Sequence, residues 1–368
     1  LADERAEALG RSTPGYRVDV RVGLAEALAR LGGPGAHHPL AAALAEDPAA
    51  AVRSVALRGL RREGVLDAEA LAQAFRAEYA AACEPPASLP DEDSARAERS
   101  AAAALRAELV EALAAAGGDG AMALILQAFA AETESVPREA AGAALAALAE
   151  RAPDRAADAV RECLGDADGE ALGAALAQMG EAPAEALAAL LGEEHGEAST
   201  RAAAVLVAYA RAGGEIGPLL RPILLGGTPE ARLAAARIFD RLDRVPVRAD
   251  EAAAYWLAKG QWERCEAVGE PALAVLADAL PVYDWRTAGA IGLALLRLGA
   301  DPNAALFDAL ISRLRQVVAR RDERLEPSPA DEEDGRGRRP APIVVSHEEE
   351  RRTAKAYITA IEGLRSKR

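Results

Sequence analysis

Aromatic side chains make up only 4% of the 368 residues, and lysine occurs at just three positions, Lys259, Lys355 and Lys367. The first scarcity excludes a core built on large rings: with hydrophobic residues at 51% and alanine dominant, the interior must be made of small side chains. Such side chains let helices approach closely, and each contributes little buried area at roughly 25 cal/mol per Å². Positive charge is also in deficit, with 43 Lys and Arg against 58 Asp and Glu and a net charge of −15. That balance argues against a duplex nucleic-acid partner, whose phosphates require a basic footprint. The three cysteines, Cys83, Cys163 and Cys265, lie far apart without a CxxC spacing, which excludes a disulfide framework and points to a reduced, cytoplasmic setting. No run of 18 apolar residues is free of charge, so no membrane span is expected, and the opening residues lack the basic-then-apolar pattern of a signal peptide. The first residue is Leu rather than Met, which leaves room for an upstream segment.

What is abundant is repetition. Arg21, Arg53, Arg138, Arg201, Arg232 and Arg286 each open an Ala/Leu-rich helical pattern, at intervals of about 31 to 32 residues where the period is clearest. Apolar residues follow at i, i+3, i+4 and i+7: Leu24, Ala27, Leu28, Leu31; Ala141, Ala144, Leu145, Leu148; Leu172, Ala175, Leu176, Met179; Ala202, Val205, Leu206, Tyr209; and Ala235, Ile238, Phe239, Leu242. This spacing draws one apolar stripe down a helix. Between these helices lie apolar stretches at 36–45, 121–130, 218–225 and 271–280, joined by turns too short for anything but antiparallel neighbours. Asp47-Pro48, Thr228-Pro229 and Asp301-Pro302 place a capping oxygen before a proline suited to a first helical turn. Strand character is confined to Ile343–Val345, too short to define a sheet.

Helices expected near residues 21, 53, 99, 138, 170, 201, 232, 286 and 352 give about nine helix pairs, and hence an all-α fold of the α-α superhelix type. We expect residues 1–321 to form one solenoid, 322–346 to be a disordered loop of acidic, Gly, Arg and Pro residues, and 347–368 to supply the closing helix. Residues 84–93 read as a Pro-rich acidic surface loop. The long interval between Arg232 and Arg286 leaves space for an additional helix around 250–258.

The stretches Asp47-Pro-Ala-Ala-Ala-Val-Arg53-Ser-Val-Ala-Leu-Arg-Gly-Leu60 and Gly269-Glu-Pro-Ala-Leu-Ala-Val-Leu-Ala-Asp-Ala-Leu280, leading into Asp284-Trp285-Arg286, resemble the HEAT-repeat consensus. They resemble in particular the bacterial HEAT repeats of the phycobilisome-lyase type, part of the wider armadillo-like superhelix group. The resemblance implies a ladder in which a turn Asp meets an early-helix Arg, matched in part by Asp47 with Arg53 and Asp284 with Arg286. Thr200-Arg201 and Ala231-Arg232 lack the nearby Asp, and the unit near Glu170 lacks the Arg. A non-enzymatic scaffold or adaptor is the expected role, recognising a protein partner with a basic or mixed surface. Two enzymatic alternatives accompany the resemblance: a bilin lyase, and an alkylpurine DNA glycosylase for which Asp284, Trp285 and Arg286 supply the residue types.

Residues that could carry chemistry are few. Tyr255, Trp256, Trp262, Tyr283 and Trp285 gather all three tryptophans and two of the six tyrosines into one stretch, and we single them out as the candidate partner-binding residues. Gap filling around the extra helix is the competing explanation, since the Tyr-Trp-x3-Gly-x-Trp-x2-Cys pattern from Tyr255 to Cys265 also resembles ordinary members of these repeats. His37 and His38 are adjacent rather than at ligand spacing, and no catalytic constellation, metal site or cofactor is expected.

Overall fold

A computed structural model describes residues 18–82, 92–117, 120–165, 168–192, 196–301, 303–320, 323–325, 343–345 and 347–366. The described chain is all-α. It divides into two compact units, residues 1–190 with 195–219 and residues 191–194 with 220–368.

The first unit contains α1 (Val18–Leu31), α2 (Pro34–Glu46), α3 (Ala50–Arg62), α4 (Ala68–Ala82), α5 (Glu92–Ala116), α6 (Ala121–Ala131), α7 (Ser135–Arg151), α8 (Pro153–Cys163), α9 (Gly169–Met179), α10 (Glu181–Ala189) and α11 (Glu197–Arg211). Within it, α1, α3, α5, α7, α9 and α11 each contact the next of their own set. The intervening α2, α4, α6, α8 and α10 do likewise, and most consecutive helices also pack as hairpins. The unit boundary falls within α12 (Ile216–Gly226). The second unit holds α13 (Pro229–Arg241), α14 (Ala249–Ala258), α15 (Trp262–Ala267), α16 (Pro271–Ala279), α17 (Trp285–Arg297), α18 (Ala305–Val318) and α19 (Glu348–Arg365). All nine positions expected to lie in a repeat's second helix are helical, and α14 is the additional helix expected between Arg232 and Arg286.

The apolar stripes are buried, with one shift of phase. Leu172, Ala175, Leu176 and Met179 are all buried, as are Ala202, Val205, Leu206 and Tyr209. In α1 the buried set is Ala25, Leu28 and Ala29, while Leu31 is 70% exposed. Leu31 is the last helical residue before Gly32 turns the chain away at φ +62°, so its side chain has no further turn of helix to pack against. Leu148 and Leu242 are half-buried.

Small residues set the closest helix approach. An added Cβ on Gly173 of α9 would lie 2.4 Å from Ala208 Cβ and 2.6 Å from the backbone N of Tyr209 in α11. Only a residue without a side chain fits that crossing.

Two helix starts differ from expectation. Thr228 caps α13 as expected, its hydroxyl accepting from Ala231 N with Pro229 in the first turn. Asp47 instead accepts from Ala49 N, and Asp301 from Asn303 N; α3 and α18 begin at Ala50 and Ala305. Both are local Asx turns, a competing use of the same carboxylate oxygen. Residues 83–91 lie outside the described residues, and Glu92 and Asp93 already belong to α5. Within the segment expected to be disordered, β1 (Glu323–Leu325) pairs antiparallel with β2 (Ile343–Val345), Arg324 opposite Val344. The β-branched run at 343–345 suits this pairing. The rest of that segment lies outside the described residues.

Of the recurrent arginines, Arg53, Arg201 and Arg232 fasten turns, and Arg21, Arg53 and Arg201 face carboxylates, the last pairing with Glu197 at 2.6 Å. Arg53 Nη1 donates to the Asp47 carbonyl oxygen at 2.6 Å, while its other nitrogens hold Glu78 at 3.1 and 3.2 Å. Arg201 donates to the Gly165 carbonyl, and Arg232, 2% exposed, donates to the carbonyls of Gly227 at 2.9 Å and Leu225 at 2.6 Å. The Asp47 carboxylate is faced by Arg21, at 3.6 Å. Arg138 lies over the Phe129 ring, and Arg286 over Trp285. A buried pair that the spacing did not reveal, Arg106 with Glu132 at 2.7 Å, links α5 to the turn before α7, where Glu132 also accepts from the backbone N of Thr133 and Glu134.

Candidate functional site

The five singled-out aromatics fall into separate environments within the second unit. Tyr255 and Trp256 lie on α14, where the 3.6-residue period sends Tyr255 inward against Phe239 of α13, edge to face at 6.3 Å between centroids. Trp256 is half-buried, its ring tilted 68° to Tyr255 at 4.5 Å. Two cations flank it: Arg264 of α15, with Cζ 4.5 Å from the ring centroid, and Lys259 Nζ at 5.7 Å. Each such contact is worth about 0.5–1 kcal/mol at an exposed position.

Tyr283 is buried beneath Arg232, whose Cζ lies 5.8 Å from its ring. Burial raises the Tyr283 hydroxyl pKa against the pull of that guanidinium. Trp285 opens α17 behind Asp284, whose carboxylate is spent on capping: it accepts from Arg286 N at 2.8 Å, Thr287 N at 3.2 Å and the Thr287 hydroxyl at 2.7 Å. Burial works against ionisation of Asp284, yet the Thr287 hydrogen bonds hold its carboxyl below the ordinary value. Trp262 opens α15 half-buried and makes no ring contact with the other four among the described residues.

Around Tyr255 a polar knot forms that sequence reasoning did not assemble. Tyr255 Oη donates to Asp240 Oδ1 of α13. Lys259 Nζ donates to the same oxygen at 2.8 Å and to Tyr255 Oη at 3.1 Å. Desolvation raises the Tyr255 hydroxyl pKa and the Asp240 hydrogen bond raises it further. Asp240 is also desolvated, but its hydrogen bonds from Lys259 and Tyr255 prevail and its pKa is lowered, while the hydrogen bond to Asp240 raises that of Lys259. The i, i+4 spacing of Tyr255 and Lys259 was a legible signal; the contribution of Asp240, from another helix, was not.

A second knot fixes the start of α14. Arg221 holds Asp250 and Glu251, each at 2.7 Å, and Arg248 approaches the same carboxylates at 3.5 and 3.4 Å. Cys265 is fully buried, its thiol facing the Ala253 carbonyl at 3.4 Å; burial pushes its pKa up to about 12, so it is no nucleophile at neutral pH. Cys163 is buried as well, whereas Cys83 and His195 lie outside the described residues.

Among the described residues no group of three or more His, Cys, Asp or Glu could hold a metal ion. His37 lies 3.9 Å from Glu63, and His38 is exposed. A shallow groove of about 460 Å³ runs between α18 and α19, crossed by Arg315–Glu362 and Arg365–Asp308, each pair at 3.0 Å. No helix is long and apolar enough to cross a membrane among the described residues.

No protein-family model matches the chain, and no curated protein matches it. A crystal structure of an engineered protein is similar at 15% identity over 98% of this chain and 94% of that one, with a TM-score of 0.24. At that score the likeness carries no argument about fold or function.

Proposed function

We propose that this chain is a HEAT-like α-solenoid of the armadillo-like superhelix type, acting as a non-enzymatic scaffold that binds a protein partner. The observation that carries the reading is the packing order of the first unit: two sets of helices, each helix on the next of its set, with Arg53 and Arg201 fastening turns there as Arg232 does within the second unit. Stacked repeats of this kind display many side chains on successive helices, so affinity accumulates from modest contacts. The half-buried Trp256, flanked by Arg264 and Lys259, offers an aromatic anchor with polar surroundings, the composition favoured at the centre of protein interfaces. A net charge of −15 favours encounter with a partner whose overall surface is basic or mixed. The wide spacing of Cys83, Cys163 and Cys265, without a CxxC pattern, supports a cytoplasmic setting.

Affinity capture from the native host, with Trp256→Ala and Trp285→Ala as separate variants, tests the reading. A partner retained by the wild type and lost by the Trp256 variant, with an association rate that falls as salt rises, is the expected result. Capture of no protein, or loss of capture only in proportion to lost helicity, would count against it. Small-angle scattering tests the solenoid itself, which fails if the profile fits a compact sphere.

A further inference from the structure

The loop joining α13 to α14 places Arg244 and Arg248 beside exposed valines, in a chain whose net charge is −15. Val247 is 100% exposed and Val245 48%, while Pro246 between them is buried. The loop is held in this form at both ends. Arg244 N donates to the Phe239 carbonyl and Asp243 N to the Asp240 carbonyl, closing α13 with Asp243 at φ +52°; at the far end Arg248 is tied to Asp250 and Glu251. The two valines are therefore held in solvent by a fixed frame. Burying a valine elsewhere is worth about 1.5 kcal/mol or more, so their exposure invites a cover.

The polar groups beside them are mostly donors. Arg237 and Arg241 lie one turn apart on the exposed side of α13, and Arg244 follows on the loop; all three are exposed, and none forms a side-chain hydrogen bond or ion pair among the described residues. Neither Val245 nor Val247 donates its backbone N–H to another described residue. Of the four carboxylates between Arg237 and Glu251, Asp240 is engaged by Lys259 and Tyr255, and Asp250 and Glu251 by Arg221 and Arg248, which leaves Asp243. Three guanidiniums and two amides with a single carboxylate call for acceptors from outside.

We propose that Arg237, Arg241, Arg244, Val245 and Val247 form a docking surface for an acidic polypeptide segment that interleaves carboxylates with aliphatic side chains. Carboxylates would take the guanidiniums in paired hydrogen bonds, and aliphatic residues would cover the valines. The net charge of −15 disfavours the dense charge of a nucleic acid or an anionic bilayer, whereas a short segment carries few charges and adds apolar contact. The frame is preformed, so little ordering entropy is lost on docking. This inference rests on the scaffold reading and names the chemistry of one contact; a partner that is basic overall accommodates it if one segment is acidic.

The test is titration of the whole chain against a labelled peptide of alternating Glu and Val, with a Lys–Val peptide as its charge-reversed twin. Saturable one-to-one binding of the Glu–Val peptide is expected, weakened about tenfold by Arg241→Glu with Arg244→Glu, and separately by Val247→Asp. Both variants alter exposed positions, and unchanged circular dichroism confirms that they fold. Equal binding of the two peptides, no binding of either, or unaltered binding by both variants would overturn the proposal. So would stronger competition by a single-stranded oligonucleotide or by phosphatidylserine vesicles, or a dimer that blocks the peptide. Each of these outcomes leaves partner capture by the wild type to be judged on its own.

Discussion

Replacing Gly173 by alanine sets two effects of opposite sign against each other. In a helix interior the change gains about 1 kcal/mol of propensity. At this position the new methyl would lie 2.4 Å from Ala208 Cβ, 2.6 Å from Tyr209 N and 2.8 Å from the Ala208 carbonyl carbon, and two of those three atoms are backbone. No rotamer relieves that contact; α9 and α11 must separate. Overpacking of this kind costs about 1–3 kcal/mol, and with backbone on both sides the upper part of that range applies. The net expectation is a loss of about 1–2 kcal/mol, which for a unit of this size lowers the melting midpoint by about 2–8 °C. Two companion variants calibrate the result. Gly142→Ala brings its methyl to 3.4 Å from Gln178 and Phe129 side chains, ordinary contact, and Gly363→Ala meets nothing within 4 Å among the described residues. Thermal and urea denaturation should therefore rank Gly363→Ala at or above wild type, Gly142→Ala close to it, and Gly173→Ala below both. A Gly173→Ala protein as stable as wild type would refute the close crossing of α9 and α11.

Asp243→Gly should stabilise the second unit by about 1 kcal/mol, because φ +52° suits a residue without a Cβ; a lower urea midpoint would argue against that helix end. Glu132→Ala strands a buried guanidinium at Arg106, whose side chain is 8% exposed, and should cost about 3 kcal/mol in equilibrium unfolding; a loss below about 1 kcal/mol would mean that the pair is solvated. The lowered pKa of Asp240 makes its contribution present above the unfolded value near 3.8, and that contribution is lost as pH falls through the folded value. Asp240→Asn should therefore flatten the acid limb of the stability profile, by less than about 1 kcal/mol since the carboxylate is partly exposed; an unchanged limb would dissociate Asp240 from Lys259.

Helix positions were legible because the chain repeats itself. The stripes at 172–179 and 202–209 translate directly into buried faces, and Thr228-Pro229 marks a helix start that the structure keeps. Asp47-Pro48 and Asp301-Pro302 carry the same local signal with a different outcome, since a carboxylate can bond two residues ahead without starting a helix. Pairs brought together by packing left no trace in spacing: Arg106 and Glu132 are joined by hairpin geometry, and Asp240 reaches Tyr255 only once α13 and α14 are docked. The aromatic run was visible as composition. That Tyr255 and Tyr283 point inward while Trp256 remains half-buried follows from helix phase and neighbouring elements, which a list of residue types does not contain.

The neighbour-to-neighbour order of α1 to α11 bears on how the unit assembles. Each helix finds its main partners among segments no more than three places away in the chain, so contacts close over short stretches and lose little chain entropy in doing so. Local closure of this kind favours rapid folding, in which any docked hairpin can serve as a seed for accretion. A growing polypeptide can begin packing while its later helices are still being synthesised.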